Sequence, residues 1–396
     1  MKKLLQINHV LSDFGSTGKI VNQIGDAAIR DGWESYIAYG RWGCKSHSHL
    51  IKIGNSWDVA CHGLLTRLTD RHGLYSSQAT RQLIKQIETV SPDLIHLHCL
   101  HGYYLNYQLL FNYLKTVGIP IVWTLHDCWP FTGHCAHFTR ARCNKWKTQC
   151  HHCPIRNDYP SSFRDGSKEN YRLKKESFTN IPNMTIVTVS DWLKSVTHES
   201  FLGNYKIQTI YNGTDTNIFR PHKSQPNSRF TVLGVAGMWY ADKGLYDFYK
   251  LRKQLSPLVG ITLIGLNDKQ MRTLPKGITG RPKTQSADEL AQAYSDADIV
   301  VNLSYQETFG MTTAEGMACG TPCIVYNTTA CPELITPDTG TIVPLGNIKQ
   351  VAKAIMDIRK RGKASYTDKC RTRAVECFDK NKQYNKYITL YNSLIK

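Results

Sequence analysis

Glu307 and Glu315 stand with seven residues between them in the stretch that runs from Ser304 to Pro322. Two carboxylates at that spacing can do two kinds of work. One can accept paired hydrogen bonds from neighbouring hydroxyls. The other can lie beside a carbon that is losing its leaving group and stabilise the positive charge that develops there. Phe309, Gly310 and Met311 fall between them, where backbone amides at a helix start would face an anion such as phosphate. A plainer alternative reads Glu307 as a helix cap and Glu315 as a solvated side chain.

The flanking elements decide whether the pair is positioned. Asp298 to Leu303 is a short apolar run rich in β-branched residues, the pattern of a buried parallel strand, and Cys323 to Tyr326 reads as the next. Between them the sequence predicts a loop with Gly310 and a helix from near Thr312 that stops at Gly320-Thr-Pro322. Glu307 then sits at the carboxyl end of a strand, where open α/β sheets bind ligands, and Glu315 sits on the following helix.

Other loops carry similar chemistry. Asp13-Phe-Gly15-Ser16-Thr17-Gly18-Lys19 follows a first strand, Lys3 to Ile7, and opens a helix marked by Ile20, Val21, Ile24 and Ala28. It lacks the glycine and hydroxyl spacing of a Walker A loop, yet suits close backbone approach to a phosphate or sugar. Ile119 to Leu125 is a buried strand ending in His126-Asp127, where a neutral imidazole oriented by Asp127 can donate to a ligand hydroxyl, or simply satisfy a backbone carbonyl. His96, His98 and His101 do not share one strand face and are not expected to hold a metal. Asp296-Ala-Asp298 precedes its apolar strand rather than following one, so it is set aside as a metal–diphosphate motif. The region 41–81 gives no clear pattern.

Cys135, Cys143, Cys150 and Cys153 follow the spacing C-x7-C-x6-C-x2-C. The C-x2-C half is a chelating knuckle, and the segment has few apolar residues with which to build its own core, so a structural zinc is expected, with His134, His137 and Cys128 in reserve. Two local disulfides or unpaired thiols are the alternatives.

The Glu pair with its flanks, Phe-Gly after the first and Glu-Gly-Met-Ala-Cys-Gly-Thr-Pro at the second, resembles the signature of retaining family 4 glycosyltransferases of the GT-B fold. Tyr211-Asn-Gly-Thr-Asp to Phe219-Arg-Pro221 resembles the family's interdomain segment, and the cysteine block resembles the exopolysaccharide, colanic-acid type. The resemblance implies two Rossmann-like α/β domains facing a cleft. These would be 1–210, on the acceptor side with the insertion 128–160, and 211–380, which binds the nucleotide-sugar; a helix at 381–396 would return to the first. It implies that Glu307, His126 and Lys243 are catalytic and that Glu315, Gly15, Gly18, Phe309, Gly310, Met311 and Arg281 bind the donor. Gly237-Met238-Trp-Tyr-Ala-Asp-Lys243-Gly244 matches the family's phosphate clamp, except that Met238 stands where arginine is expected. A charge-assisted contact is worth about 1.5–3 kcal/mol, so its loss would weaken diphosphate holding about tenfold or more. Arg281 is the candidate to compensate. No catalytic metal is needed on this reading.

The chain has 396 residues with 49 Lys and Arg against 31 Asp and Glu, a formal charge of +18. That balance suits an anionic partner (nucleic acid, a phosphorylated substrate or an anionic membrane face) or a generally basic surface. The resemblance narrows the partners to a nucleotide-diphospho-sugar donor, a glycan or polyprenyl-diphosphate-linked acceptor, and peripheral contact with an anionic membrane. Nucleic acid is not expected. No run approaches the roughly 18 apolar residues of a membrane span, and Gln6, Asn8 and His9 break the apolar start, so a cytoplasmic protein, or one peripheral on the inner membrane face, is expected. Two other functions share parts of this pattern: a non-hydrolysing nucleotide-sugar 2-epimerase, and a non-catalytic polyanion-binding module.

Overall fold

The computed structural model describes residues 1–12, 16–223 and 229–395. Gly15 and the end of the linker, 224–228, lie outside them, as does the side chain of Ser16. The chain divides into two units, Met1–Tyr211 with Tyr384–Lys396, and Asn212–Gln383.

The first unit is a seven-stranded parallel sheet: β1 (Lys3–Val10), β2 (Glu34–Arg41), β3 (His49–Lys52), β4 (Leu94–Leu97), β5 (Ile121–Leu125), β6 (Met184–Thr188) and β7 (Lys206–Thr209), in the order β3-β2-β1-β4-β5-β6-β7. Every residue of β4, β5 and β6 is buried, as expected where helices cover both faces of a parallel sheet. The second unit has six parallel strands: β8 (Phe230–Val235), β9 (Val259–Ile264), β10 (Ile278–Arg281), β11 (Ile299–Asn302), β12 (Cys323–Asn327) and β13 (Gly340–Pro344), in the order β10-β9-β8-β11-β12-β13. Each order reverses once, between β1 and β4 and between β8 and β11. The loops leaving those strand pairs form the crevice in which an open α/β sheet holds its ligand.

The helix Lys380–Leu394 supplies Tyr384, Tyr387, Ile388 and Tyr391 to the core of the first unit, against Leu4, Ile24, Trp33 and Leu94. Its tyrosines also satisfy polar groups inside the sheet. Tyr391 Oη lies 2.6 Å from His96 Nδ1, and Tyr387 Oη lies 3.1 Å from Thr124 Oγ1. His96 is thus a core histidine, spent on the helix and on Thr124.

The region 41–81 resolves into β3, the helix Ser56–Thr69 and the start of the helix Ser77–Val90. The first helix was unreadable because its pattern is inverted. His62 and Thr66 are buried, while Trp57 (80%), Leu64 (61%), Leu65 and Leu68 face outward. The cysteine-rich insertion has more of a core than its composition implies: Phe131, Phe138 and Trp146 are buried together, with the Phe138 and Trp146 rings stacked at 4.7 Å. The basic helix Ser167–Phe178 is not a free cationic face. Lys174 is buried and donates to the Trp129 and Thr132 carbonyls, and Arg172 pairs with Glu169 and Glu176.

Candidate active site

In the second unit the switch point between β8 and β11 brings two loops together. The loop after β8 carries Met238, Lys243 and Gly244; the loop after β11 carries Glu307, Phe309 and Gly310. Lys243 Nζ donates to Glu307 Oε1 at 2.6 Å, with both side chains only about a fifth exposed (23% and 17%). Burial opposes the lysine's charge, but the Glu307 carboxylate outweighs it and holds the ammonium above its ordinary pKa.

The backbone fixes this pair in several places. Gly244 adopts φ +75°, and a Cβ there would lie 2.2 Å from the Leu303 carbonyl oxygen, so the two loops touch only because the residue is glycine. Tyr305 N donates to the Asp242 carbonyl at 2.8 Å, and Gln306 Nε2 donates to Asp242 Oδ2 at 2.7 Å. Glu307 N is held by Thr329 Oγ1 at 2.9 Å. Asp247 accepts from both Tyr305 and Tyr326 at 2.8 Å. Gln306, Asp242, Asp247 and Thr329 were not singled out from the sequence. No local motif marks them, because each acts on a residue distant in the chain.

Gly310, at φ +111°, opens the helix Met311–Ala318. Phe309 is buried, and Met311 is the first helical residue. One turn into that helix, Glu315 Oε2 accepts from Tyr294 Oη at 3.0 Å, and Tyr294 is fully buried. Met238 is 70% exposed in its loop and brings no charge. Arg281 ends β10, and its side chain forms an exposed ion pair with Glu289 at 2.9 Å. Ser286 caps the helix Ala287–Asp296 by accepting from Glu289 N, and Glu289 Oε2 accepts from Gln285 N.

In the first unit Gly18 packs on the loop after β1; a Cβ there would lie 2.6 Å from Ser12 N. At the ends of β4 and β5 a histidine cluster forms. His126 Nε2 lies 3.0 Å from His98 Nδ1, and burial pushes the His126 pKa down to about 4 against the opposing pull of Asp127. The imidazole is therefore neutral near pH 7. Asp127 does not orient His126. It bonds His101 Nε2 at 2.6 Å and accepts from Trp129 N at 2.9 Å. Burial alone would raise the Asp127 pKa, but the His101 contact holds it well below the usual carboxylate range. Cys99, His101 and Asp127 place one ligand atom each within 4.8 Å of one another. Asp127, just past the end of the neighbouring strand β5, thus supplies a carboxylate to His101.

Among the described residues none of the thirteen cysteines is joined in a disulfide. Cys135, Cys143, Cys150 and Cys153 line one cavity together with His134. Among the described residues no helix is long and apolar enough to cross a membrane.

Residues 18–218 match the family model described as Glycosyltransferase Family 4, and residues 229–360 match the one described as Glycosyl transferases group 1. The chain is 25% identical over 372 residues to WcaC of Escherichia coli (strain K12), by its name a colanic acid biosynthesis glycosyl transferase, covering 88% of this chain and 89% of that one. Its fold superposes on sucrose-phosphate synthase of Thermosynechococcus elongatus with a TM-score of 0.77 at 18% identity, covering 100% and 99% of the two chains. On Anabaena Alr3699/HepE, solved with UDP and glucose, the TM-score is 0.69 at 15% identity, covering 99% and 100%.

Proposed function

The chain belongs to glycosyltransferase family 4 and is a glycosyltransferase with two parallel α/β sheets, and from the Lys243–Glu307 pair we infer that it transfers a sugar from a nucleotide-diphospho-sugar with retention of configuration. The pair carries this reading because it sets an ammonium against a carboxylate at a sheet switch point, where a leaving diphosphate and a nascent cation need opposite charges. Glu315, steadied by Tyr294, accepts from the ribose hydroxyls. Lys243 and the amides at Gly310 and Met311 take the charge of the departing diphosphate. Glu307 faces the anomeric carbon as it becomes cationic, and the acceptor hydroxyl enters on the face that the diphosphate leaves, giving its proton to the departing phosphate. The role assigned to His126 is a neutral hydrogen-bond partner of the transferred sugar. No metal ion is assigned to this chemistry. The likeness to WcaC supports a place in surface polysaccharide synthesis, with a glycan or a polyprenyl-diphosphate-linked glycan as acceptor.

A thermal-shift screen with uridine, guanosine and adenosine diphosphates and their sugars tests the donor. One base is expected to stabilise the protein by about 2.7 kcal/mol at a hundredfold excess over Kd. If no diphosphate moves the transition at millimolar concentration, the donor site is wrong. Turnover of the chosen sugar nucleotide without any acceptor would instead identify an epimerase.

The acceptor reading gains support from the outward stripe of Trp57, Leu64, Leu65 and Leu68, continued by the 64% exposed Phe163, over which Arg67 stacks at 5.0 Å. Exposed apolar side chains beside arginines suit an anionic lipid surface. Sedimentation with anionic vesicles is expected to capture the protein at low salt, and the double substitution Trp57→Ser with Leu64→Ser to weaken capture about tenfold or more. Equal capture of the double variant would remove this face from the proposal.

A further inference from the structure

We propose that Cys99, His101 and Asp127 hold a zinc ion in the first unit, with a water molecule or a ligand oxygen in the fourth place. The inference stands apart from the transferase reading and gives the ion no step in it. One ligand atom from each residue lies within 4.8 Å of the other two. Zinc bonds of about 2.0–2.3 Å at tetrahedral angles set such atoms about 3.3–3.6 Å apart, so side-chain shifts of about 1 Å seat the ion. Cys99 and His101 are buried, and the Asp127 side chain is only 14% exposed. Cys99 and His101 follow β4 while Asp127 follows β5, so the three meet because those strands are neighbours in the sheet.

Each ligand is held by a second contact that leaves one atom for the metal. Asp127 Oδ1 accepts from Trp129 N at 2.9 Å, which leaves Oδ2. His101 Nδ1 lies 3.0 Å from Tyr159 Oη, which leaves Nε2. Cys99 is fixed through its backbone, and its thiol is left: its N–H donates to Asn8 Oδ1 at 3.3 Å, and its carbonyl accepts from Tyr104 Oη at 2.8 Å. His101 Nε2 and Asp127 Oδ2 lie 2.6 Å apart, with a proton between them in the place that the ion takes. An imidazole steadied through its other nitrogen and a carboxylate steadied through its other oxygen are the outer-shell arrangement of metal centres.

Thiolate, imidazole and carboxylate together select zinc over magnesium or calcium, which keep to oxygen ligands. Three protein ligands leave the fourth place open. The His72 ring lies 5.9 Å from that of His101, and its Nδ1 is buried with no hydrogen-bond partner. Its Nε2 accepts from Gly102 N at 3.3 Å, so Nδ1 carries the hydrogen and is an unspent donor beside His101. On binding, the Cys99 thiol proton leaves to solvent, and the His101 proton passes from Nε2 to Nδ1, where it is donated to Tyr159 Oη. Tyr159 belongs to the cysteine-rich insertion, so one imidazole ties that insertion through the ion to the loops after β4 and β5.

Zinc titration of the chelator-treated full chain, by calorimetry and elemental analysis, tests the site. Wild type is expected to take up one zinc more than Cys99→Ser. Tyr159→Phe is expected to keep the wild-type stoichiometry but to lower the affinity of one site 10- to 100-fold. With cobalt, the difference between wild type and Cys99→Ser is expected to show charge transfer from one thiolate. The same difference is expected in a Cys150→Ser background, which separates this site from the thiols of the insertion. Equal zinc uptake by wild type and Cys99→Ser would overturn the proposal. Should Cys99→Ser not fold, Tyr159 is 44% exposed and its loss of a hydroxyl is tolerable; Tyr159→Phe with every zinc affinity unchanged would overturn the site as well.

Discussion

Replacing Glu307 by glutamine is expected to lower kcat by about 10²–10³, the loss found when one preorganised charge is removed from a developing transition state. Affinity for the nucleoside diphosphate should hold, because the assigned work of Glu307 is on the sugar. Lys243→Ala should lose comparable turnover and diphosphate affinity as well. The two groups share a 2.6 Å contact, so their effects should not add: once one is gone, the other has lost the partner that fixes it. Glutamine is the better probe than alanine at 307, since it keeps a hydrogen-bond acceptor for Lys243 and avoids leaving a half-buried ammonium without one. Steady-state kinetics with calorimetric titration of the diphosphate checks all three variants. Turnover within a few-fold of wild type in Glu307→Gln would remove the carboxylate from the chemistry. Additive losses in the double variant would show that the contact has no functional meaning.

Gly244→Ala is the second large effect. Its φ of +75° costs an L-residue about 1–2 kcal/mol, and its Cβ would lie 2.2 Å from a backbone oxygen, which no side-chain rotation can relieve. The loop carrying Lys243 must then move off the loop carrying Glu307. A displacement of about 1 Å at a reacting centre can cost about 10² in rate. The variant is expected to lose that much kcat and to melt earlier. Gly237→Ala supplies the stability control: it lies in the same loop, has no positive φ, and its added methyl meets nothing within 4 Å. Calorimetry of both variants should separate them; equal melting temperatures would mean that the Gly244 contact with Leu303 does not constrain the loop.

The strands were legible where burial on both faces writes a short apolar run, as in Ile299 to Val301 and Ile121 to Trp123. The helix Ser56–Thr69 was not, because its apolar side chains point away from the sheet while His62 and Thr66 point inward. Periodicity reports which residues share a helix face, and the assumption that the apolar face is the buried one fails here. The Arg281 ion pair with Glu289, eight residues on in the next helix, is likewise set by the packing of that helix and not by any local pattern.

From the sequence alone came the two α/β halves, the glutamate pair with its glycine turn, the lysine-glycine loop and the cysteine block. These are local, and the chemistry of a turn or a helix start is set by neighbours in the chain. Only the tertiary structure paired Asp127 with His101 instead of His126, gave Glu307 to Lys243 across 64 residues, and set His134 Nδ1 against the Asp70 carboxylate. Side chains from separate strands meet only once sheet order and register are fixed, and that order is settled by the burial of whole strands, a quantity no short motif encodes.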